Sequence, residues 1–233
     1  MSSSADARTQ MVDRQIRARG IRDDAVLRAL AAVPRETFLP PELEAHAYED
    51  RPLPIEAGQT ISQPYIVAVM TEALALDRSQ TVLEIGTGSG YAAAVLAQVA
   101  KHVYTVERHR ELAELARERM NALGYTNVDV LCGDGTLGWP EHAPYDAIIV
   151  AAGGPQLPRA LLDQLAIGGR LVMPVGSDRE QDLVRVTRVD EIHYRREDLG
   201  AVVFVPLIGA QGWAERPEDA HARRGILPRR NPG

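Results

Sequence analysis

The sequence predicts an α/β protein built on one doubly wound, mainly parallel sheet with an antiparallel edge, preceded by a helical addition. Three observations carry this reading. Between residues 81 and 175, short apolar runs rich in β-branched residues alternate with helical patterns, as in a parallel sheet with crossover helices. The first run, Thr81-Val82-Leu83-Glu84-Ile85, passes through Gly86-Thr87-Gly88-Ser89-Gly90-Tyr91 into an alanine-rich helix, and glycines at such a turn permit positive φ and close approach of a ligand. Farther on, the strand-like runs 182–189 and 201–207 follow one another with no long helix between them, which predicts antiparallel strands.

The elements follow in order. Residues 8–19 carry Met11, Val12 and Ile16 and stop at Gly20, and Asp23 or Asp24 can cap a second helix running to Val33-Pro34. Both helices precede the first sheet strand, so they are expected to pack on the fold or cover its ligand cleft. Pro40, Pro41, Pro52 and Pro54 exclude regular helix and predict an extended segment reaching Ile55. Tyr65, Ile66, Val69, Met70, Ala73 and Leu74 recur at helical spacing, so a helix begins near Gln63 or Pro64. Ser62 then lies at or just before its N-cap. Two readings stand side by side: a plain cap contributing about 1 kcal/mol, or one donor of an anion site that holds a substrate carboxylate.

The glycine turn is not the dinucleotide fingerprint, because its third glycine comes one residue early and Tyr91 fills the expected place. A nucleoside ligand still fits. His102 to Val106 reads as the next strand and ends at Glu107, roughly 20 residues past Gly86, where an acid either accepts hydrogen bonds from ribose hydroxyls or caps the helix starting near His109. A charged amphipathic helix covers 111–123, and Val128 to Cys132 forms the third strand. In Gly133-Asp134-Gly135 the acid can reach a ligand's exocyclic amine or make an ordinary Asx turn. Tyr145 to Ala152 is a fourth buried strand broken by Gly153-Gly154-Pro155. A helix near 158–165, a turn at Gly168-Gly169 and a strand over 170–175 complete the alternation. From Ala214 to Gly233 the chain is rich in Arg, Glu and Pro, which predicts a mobile tail or a loosely docked arm.

At 233 residues the chain is read as an N-terminal addition with a cofactor-covering segment (1–60), a ligand-binding core (61–209) and a tail (210–233). Its single cysteine, Cys132, excludes an internal disulfide framework, supplies no metal cluster and is expected to be a buried strand thiol. The net charge of −6 gives no overall footprint for nucleic acid. The polar start of the chain and the lack of any run near 18 apolar residues lead to a cytoplasmic protein with no membrane partner. No metal is expected, and a monomer is.

Several segments together resemble a known family. Ala47-Tyr48-Glu49-Asp50-Arg51-Pro52-Leu53-Pro54-Ile55, Gly58-Gln59-Thr60-Ile61-Ser62-Gln63-Pro64-Tyr65, the glycine turn, Gly133-Asp134-Gly135 and Gly168-Gly169-Arg170-Leu171-Val172-Met173-Pro174-Val175-Gly176 are similar to protein-L-isoaspartate O-methyltransferases. The Thr60-Ile61-Ser62 segment is the specific part, since the glycine motif occurs in many methyltransferases. The resemblance implies a Rossmann-like class I methyltransferase sheet and S-adenosyl-L-methionine as cofactor, leaving S-adenosyl-L-homocysteine as product. It implies methylation of the free α-carboxylate of L-isoaspartyl residues in damaged proteins or peptides, which starts repair through a succinimide. By position, Ser62 matches the active-site serine, and Gln59, Thr60 and Ile61 match the segment covering the cofactor. Glu84, Gly86, Thr87, Gly88 and Gly90 would cradle its methionine part, Glu107 with Arg108 the ribose, and Asp134 with Gly135 the adenine. Val150 and Ala151 would meet the substrate. Val150-Ala151-Ala152-Gly153-Gly154 departs from the family's usual Thr-Ala-Ala run, and Glu56-Ala57 from a glycine-containing one. Rival readings are a methyltransferase for normal aspartate in one dedicated peptide, a cofactor-binding module without catalysis, and a nucleic-acid methyltransferase. The last lacks an Asn-Pro-Pro-Tyr-like base-binding tetrapeptide.

Overall fold

A computed structural model describes residues 3–215. Ser3 and Asp6 form a reciprocal capping box that starts α1 (Ser4–Gln10), several residues before the expected beginning. The chain stays helical through a π-type stretch, Met11–Ile16, and a 3-10 turn, Arg17–Arg19, and stops at Gly20 with φ 109°. Asp23 then caps α2 (Asp24–Ala32) by accepting the Ala25 and Val26 N–H groups. Met11, Ile16, Leu27 and Leu30 are buried in one apolar cluster with Phe38, Tyr91 and Leu96. Each such aliphatic side chain contributes roughly 1.5–3 kcal/mol, so the addition is packed firmly on the core.

The segment expected to be extended from Pro40 to Ile55 is only partly so. Pro41–His46 is a 3-10 helix, because a proline at the first helical position lacks only an N–H that would be unbonded there anyway. Beyond it, β1 (Leu53–Pro54) pairs antiparallel with β2 (Thr60–Ile61), a small hairpin that brings Ile55 Cδ1 against Gly88. Then come α3 (Pro64–Leu74), β3 (Thr81–Ile85), α4 (Tyr91–Val99), β4 (His102–Glu107), α5 (Arg110–Ala122) and β5 (Val128–Cys132). β6 (Tyr145–Val150), α6 (Arg159–Asp163), β7 (Leu165–Gly176), β8 (Gln181–Arg188) and β9 (Tyr194–Val202) complete the chain order.

The sheet has seven strands in the order β5-β4-β3-β6-β7-β8-β9. Pairing is parallel from β5 to β7 and antiparallel across β7, β8 and β9. Strand order grows one way from β3 and the other way from β6, so the crevice for a ligand opens at the carboxyl ends of these two neighbours.

Three expectations are corrected here. Gly168 and Gly169 do not form a separate turn. They lie inside β7, where the register with β6 shifts between Tyr145 and Ala147 and Gly168 takes φ 82°, as in a bulge. The last strand is β9, not 201–207. Its Arg195, Arg196, Glu197 and Asp198 belong to a sheet edge, where charge deters pairing with other chains and hides the apolar alternation. Residues 203–207 instead leave the sheet, and Pro206 bridges Gly153 beside β6. Cys132 is half-buried, since it ends the opposite edge strand. Of the expected tail, only Ala214 and Glu215 fall within the described residues, and the remainder lies outside them.

Candidate active site

The glycine turn sits in the predicted crevice. Gly86 and Gly88 take φ 91° and 52°, in the left-handed region that favours glycine, and a Cβ on Gly86 would stand 3.5 Å from Ala151 Cβ at the end of β6. The Gly86 N–H donates to the Val106 carbonyl, the Gly90 N–H to Thr87, and the Gly88 N–H to Glu107 Oε2, each at 2.9 Å. These three glycine amides are bonded within the protein and are not left for a phosphate, in agreement with the departure from the dinucleotide pattern. Tyr91, in place of the missing glycine, is buried with its ring edge-on to Phe38 at 5.7 Å and under the Arg35 guanidinium at 4.8 Å. Burial pushes the Tyr91 hydroxyl up to about 12 and the Arg35 guanidinium down to about 10.

A cavity opens over the turn. Of the residues singled out in the sequence, Gln59, Thr60, Ile61, Ser62, Gly86, Thr87, Gly88, Glu107, Arg108, Gly135 and Ala151 line it. Glu107 is buried, and its two oxygens accept the Gly88 and His109 N–H groups at 2.9 Å each. It thus braces the residue that precedes α5 while lining the cavity, and a carboxylate retains further lone pairs beyond those two bonds.

Glu84, Gly90, Val150 and Asp134 lie outside this lining. Glu84 is fully buried beneath the turn, with Oε2 accepting from the Thr105 hydroxyl at 2.6 Å and Oε1 without a partner among the described residues. Thr105 Oγ1 is also 2.6 Å from Thr87 Oγ1, so Glu84 reaches the cavity only through two hydroxyls. Desolvation, reinforced by nearby Glu107 and opposed by the Thr105 hydrogen bond, pushes the Glu84 carboxyl up to about 8. Asp134 makes the Asx turn: Oδ1 accepts the Thr136 N–H and hydroxyl at 2.9 and 2.7 Å, and Oδ2 accepts the Ala210 N–H at 2.8 Å. It borders a separate recess with Arg108, Ile208, Trp213 and Glu215.

Ser62 precedes α3 but does not cap it. The N-cap position is Gln63, whose side chain makes no capping bond, and the Tyr65 N–H is taken by Asp50 Oδ1 at 3.1 Å. A second, more open groove runs beside α3, lined by Tyr65, Ile66 and Val69 on one side and Leu183, Leu199 and Phe204 on the other. Thr60, Ser62, Ala151 and Val205 border both spaces.

Sequence reasoning missed the outer wall, Val205 to Ile208. Pairing across long separations builds it: the Leu207 N–H donates to the Gly153 carbonyl at 2.8 Å, the Trp213 N–H to the Leu207 carbonyl at 2.7 Å, and Trp213 Nε1 to the Gly153 carbonyl at 3.0 Å. The proline at 206 was the one signal against a strand there.

Comparison with known proteins agrees with this geometry. The family model described as protein-L-isoaspartate(D-aspartate) O-methyltransferase matches residues 6–212. A protein-L-isoaspartate O-methyltransferase 2 from Pelobacter propionicus is 62% identical over 204 residues, 87% of this chain and 91% of the relative. A protein-L-isoaspartate O-methyltransferase from Rhodopseudomonas palustris is 61% identical over 90% of this chain and 96% of its own length. Among solved structures, a protein-L-isoaspartate O-methyltransferase superposes with TM-score 0.79 at 32% identity, covering 88% of this chain and 67% of that one. A Plasmodium falciparum structure described as a protein-L-isoaspartate O-methyltransferase in complex with S-adenosyl-L-homocysteine gives TM-score 0.75 at 25% identity, covering 86% and 98%. The chain therefore belongs to the protein-L-isoaspartate(D-aspartate) O-methyltransferase family.

Proposed function

We propose that this enzyme methylates the free α-carboxylate of L-isoaspartyl residues in proteins or peptides with S-adenosyl-L-methionine. The observation that carries the reading is the meeting of cavity and groove at Thr60, Ser62, Ala151 and Val205. A donor in one and a peptide in the other would touch only there.

The residues fit the cofactor. Glu107 presents buried acceptor oxygens suited to a pair of ribose hydroxyls. Ile85, Val106, Leu207 and Ile208 make an apolar slot beside Gly135, where the backbone comes so close that a Cβ would stand 2.4 Å from Ile85 Cγ2. Such a slot suits a flat base, and the internally used glycine amides suit a ligand without phosphate. When bound, S-adenosyl-L-methionine supplies an electrophilic methyl group.

The chain's own task is placement. An acceptor carboxylate is ionised at neutral pH and needs no general base. Ser62 orients it through a hydroxyl, a neutral donor that leaves its nucleophilicity intact where a cationic clamp would reduce it. Thr60 and Ile61 cover the junction from the hairpin and Val205 from the opposite wall, excluding water. Such positioning and water exclusion can lower the barrier by several kcal/mol. The neighbouring backbone amide nitrogen then attacks the methyl ester carbonyl, expelling methanol and closing a succinimide, which water reopens partly as normal aspartate.

No helix among the described residues is long and apolar enough to cross a membrane. A monomer working in the cytoplasm without nucleic acid is part of the same proposal, supported by the net charge of −6 and the single cysteine, as is the division at residues 60 and 209. The deciding experiment is transfer of labelled methyl to paired peptides differing only in isoaspartate versus aspartate, read as base-labile ester. Label in the isoaspartyl peptide alone is expected, and label in neither, with S-adenosyl-L-homocysteine still bound, would sink the reading.

A further inference from the structure

A serine placed as Ser62 is would ordinarily be consumed by its own helix. α3 begins with Pro64, which has no N–H, so the first amide of the helix that needs an acceptor is that of Tyr65. A serine hydroxyl three residues upstream is a ready acceptor for such a group. Here the need is met from a distant loop. Asp50 Oδ1 accepts the Tyr65 N–H at 3.1 Å, while Oδ2 accepts Gln63 Nε2 at 2.8 Å and pairs with Arg19 Nη1 at 2.6 Å. Gln63 Nε2 also donates to the Asp50 carbonyl at 3.0 Å, and the Arg19 guanidinium lies 3.5 Å over the Tyr65 ring. Three donors thus fix a carboxylate that is only 18% exposed. The Ser62 side chain makes no hydrogen bond with the described residues and borders both the cofactor cavity and the groove.

We propose that Asp50 is a positioning residue for methyl transfer: by capping α3 from outside the helix, it keeps the Ser62 hydroxyl available to the acceptor carboxylate. A serine hydroxyl has one proton and a single rotatable bond to place it. If Ser62 turned to accept the Tyr65 N–H, its oxygen would face the helix and the acceptor would lose its guide. The Asp50 cap removes that competing rotamer.

This proposal rests on the reading of Ser62 as the orienting group, so the test compares Asp50→Ala, Ser62→Ala and the double variant. The readouts are kcat with an isoaspartyl peptide and, to verify the fold and the cofactor cavity, S-adenosyl-L-homocysteine affinity. Each single variant should lose on the order of tenfold to a hundredfold in kcat with S-adenosyl-L-homocysteine affinity unchanged. The double variant should fall no further than Ser62→Ala, because Asp50 acts through that hydroxyl. A purely structural Asp50 would multiply the losses, and that result overturns the proposal. Loss in Ser62→Ala with full turnover in Asp50→Ala also overturns it, while leaving the role of Ser62 standing. Full turnover in Ser62→Ala would remove the role of Ser62 and the proposal with it. Should Asp50→Ala fail to fold, Asp50→Asn, which keeps an oxygen for the Tyr65 N–H, should show a smaller loss with the same non-additivity.

Discussion

Glu84→Gln isolates the effect of one buried carboxyl on stability. In the folded chain Glu84 holds its proton up to about pH 8, against an ordinary value of 4.5. Over the window between these values the unfolded chain has released the proton and the folded chain still binds it, so stability falls as pH rises. Each pH unit is worth about 1.4 kcal/mol, and the window of roughly 3.5 units corresponds to a loss on the order of 3–5 kcal/mol, complete by about pH 9. Glutamine has nearly the same shape, can still accept the Thr105 hydroxyl and cannot ionise. The variant and the parent should therefore be similar in stability near pH 4.5, with the variant gaining steadily above it until the curves run parallel past pH 8. Urea unfolding at a series of pH values, followed by the fluorescence of Trp139 and Trp213, measures this directly. A difference between the two proteins that stays constant from pH 5 to pH 9 would mean that Glu84 is ionised in the native state, and the argument from burial would fail.

Other perturbations address the cavity. Glu107→Gln replaces one acceptor oxygen by an amide that cannot accept both the Gly88 and His109 N–H groups. S-adenosyl-L-homocysteine affinity by calorimetry should drop about tenfold to a hundredfold, the scale of a hydrogen bond to a charged group, and an unchanged affinity would refute the ribose role. Gly135→Ala puts a methyl 2.4 Å from Ile85 Cγ2, so the urea midpoint should fall by an amount equivalent to about 1–3 kcal/mol. A midpoint equal to the parent's would show that the strand end yields freely. Trp213→Phe removes the Nε1 bond to the Gly153 carbonyl, at a cost near 1 kcal/mol, and should speed S-adenosyl-L-homocysteine release by loosening the outer wall. An unchanged release rate would mean that this wall does not govern exit.

Much of the fold and part of the site were legible in the amino-acid order, because the rules involved act over a few residues. Apolar runs, glycines and helical spacing located the parallel strands, the turn at Gly86 to Gly90 and the start of α3, and the position of Glu107 after its strand pointed to the cavity. The tertiary structure decided what depends on residues far apart in the chain. It placed Glu84 beneath the turn instead of in the cavity, because β4 brings Thr105 against it. It engaged Asp134 with the loop at Ala210 and built the outer wall from residues 205–208 against Gly153. It made β9 an edge strand whose charges conceal its pairing. Above all, it sent Asp50 to the Tyr65 N–H, so the serine that local rules read first as a helix cap makes no capping bond to α3. A local pattern tells which groups need partners; only the folded chain determines which distant group supplies them.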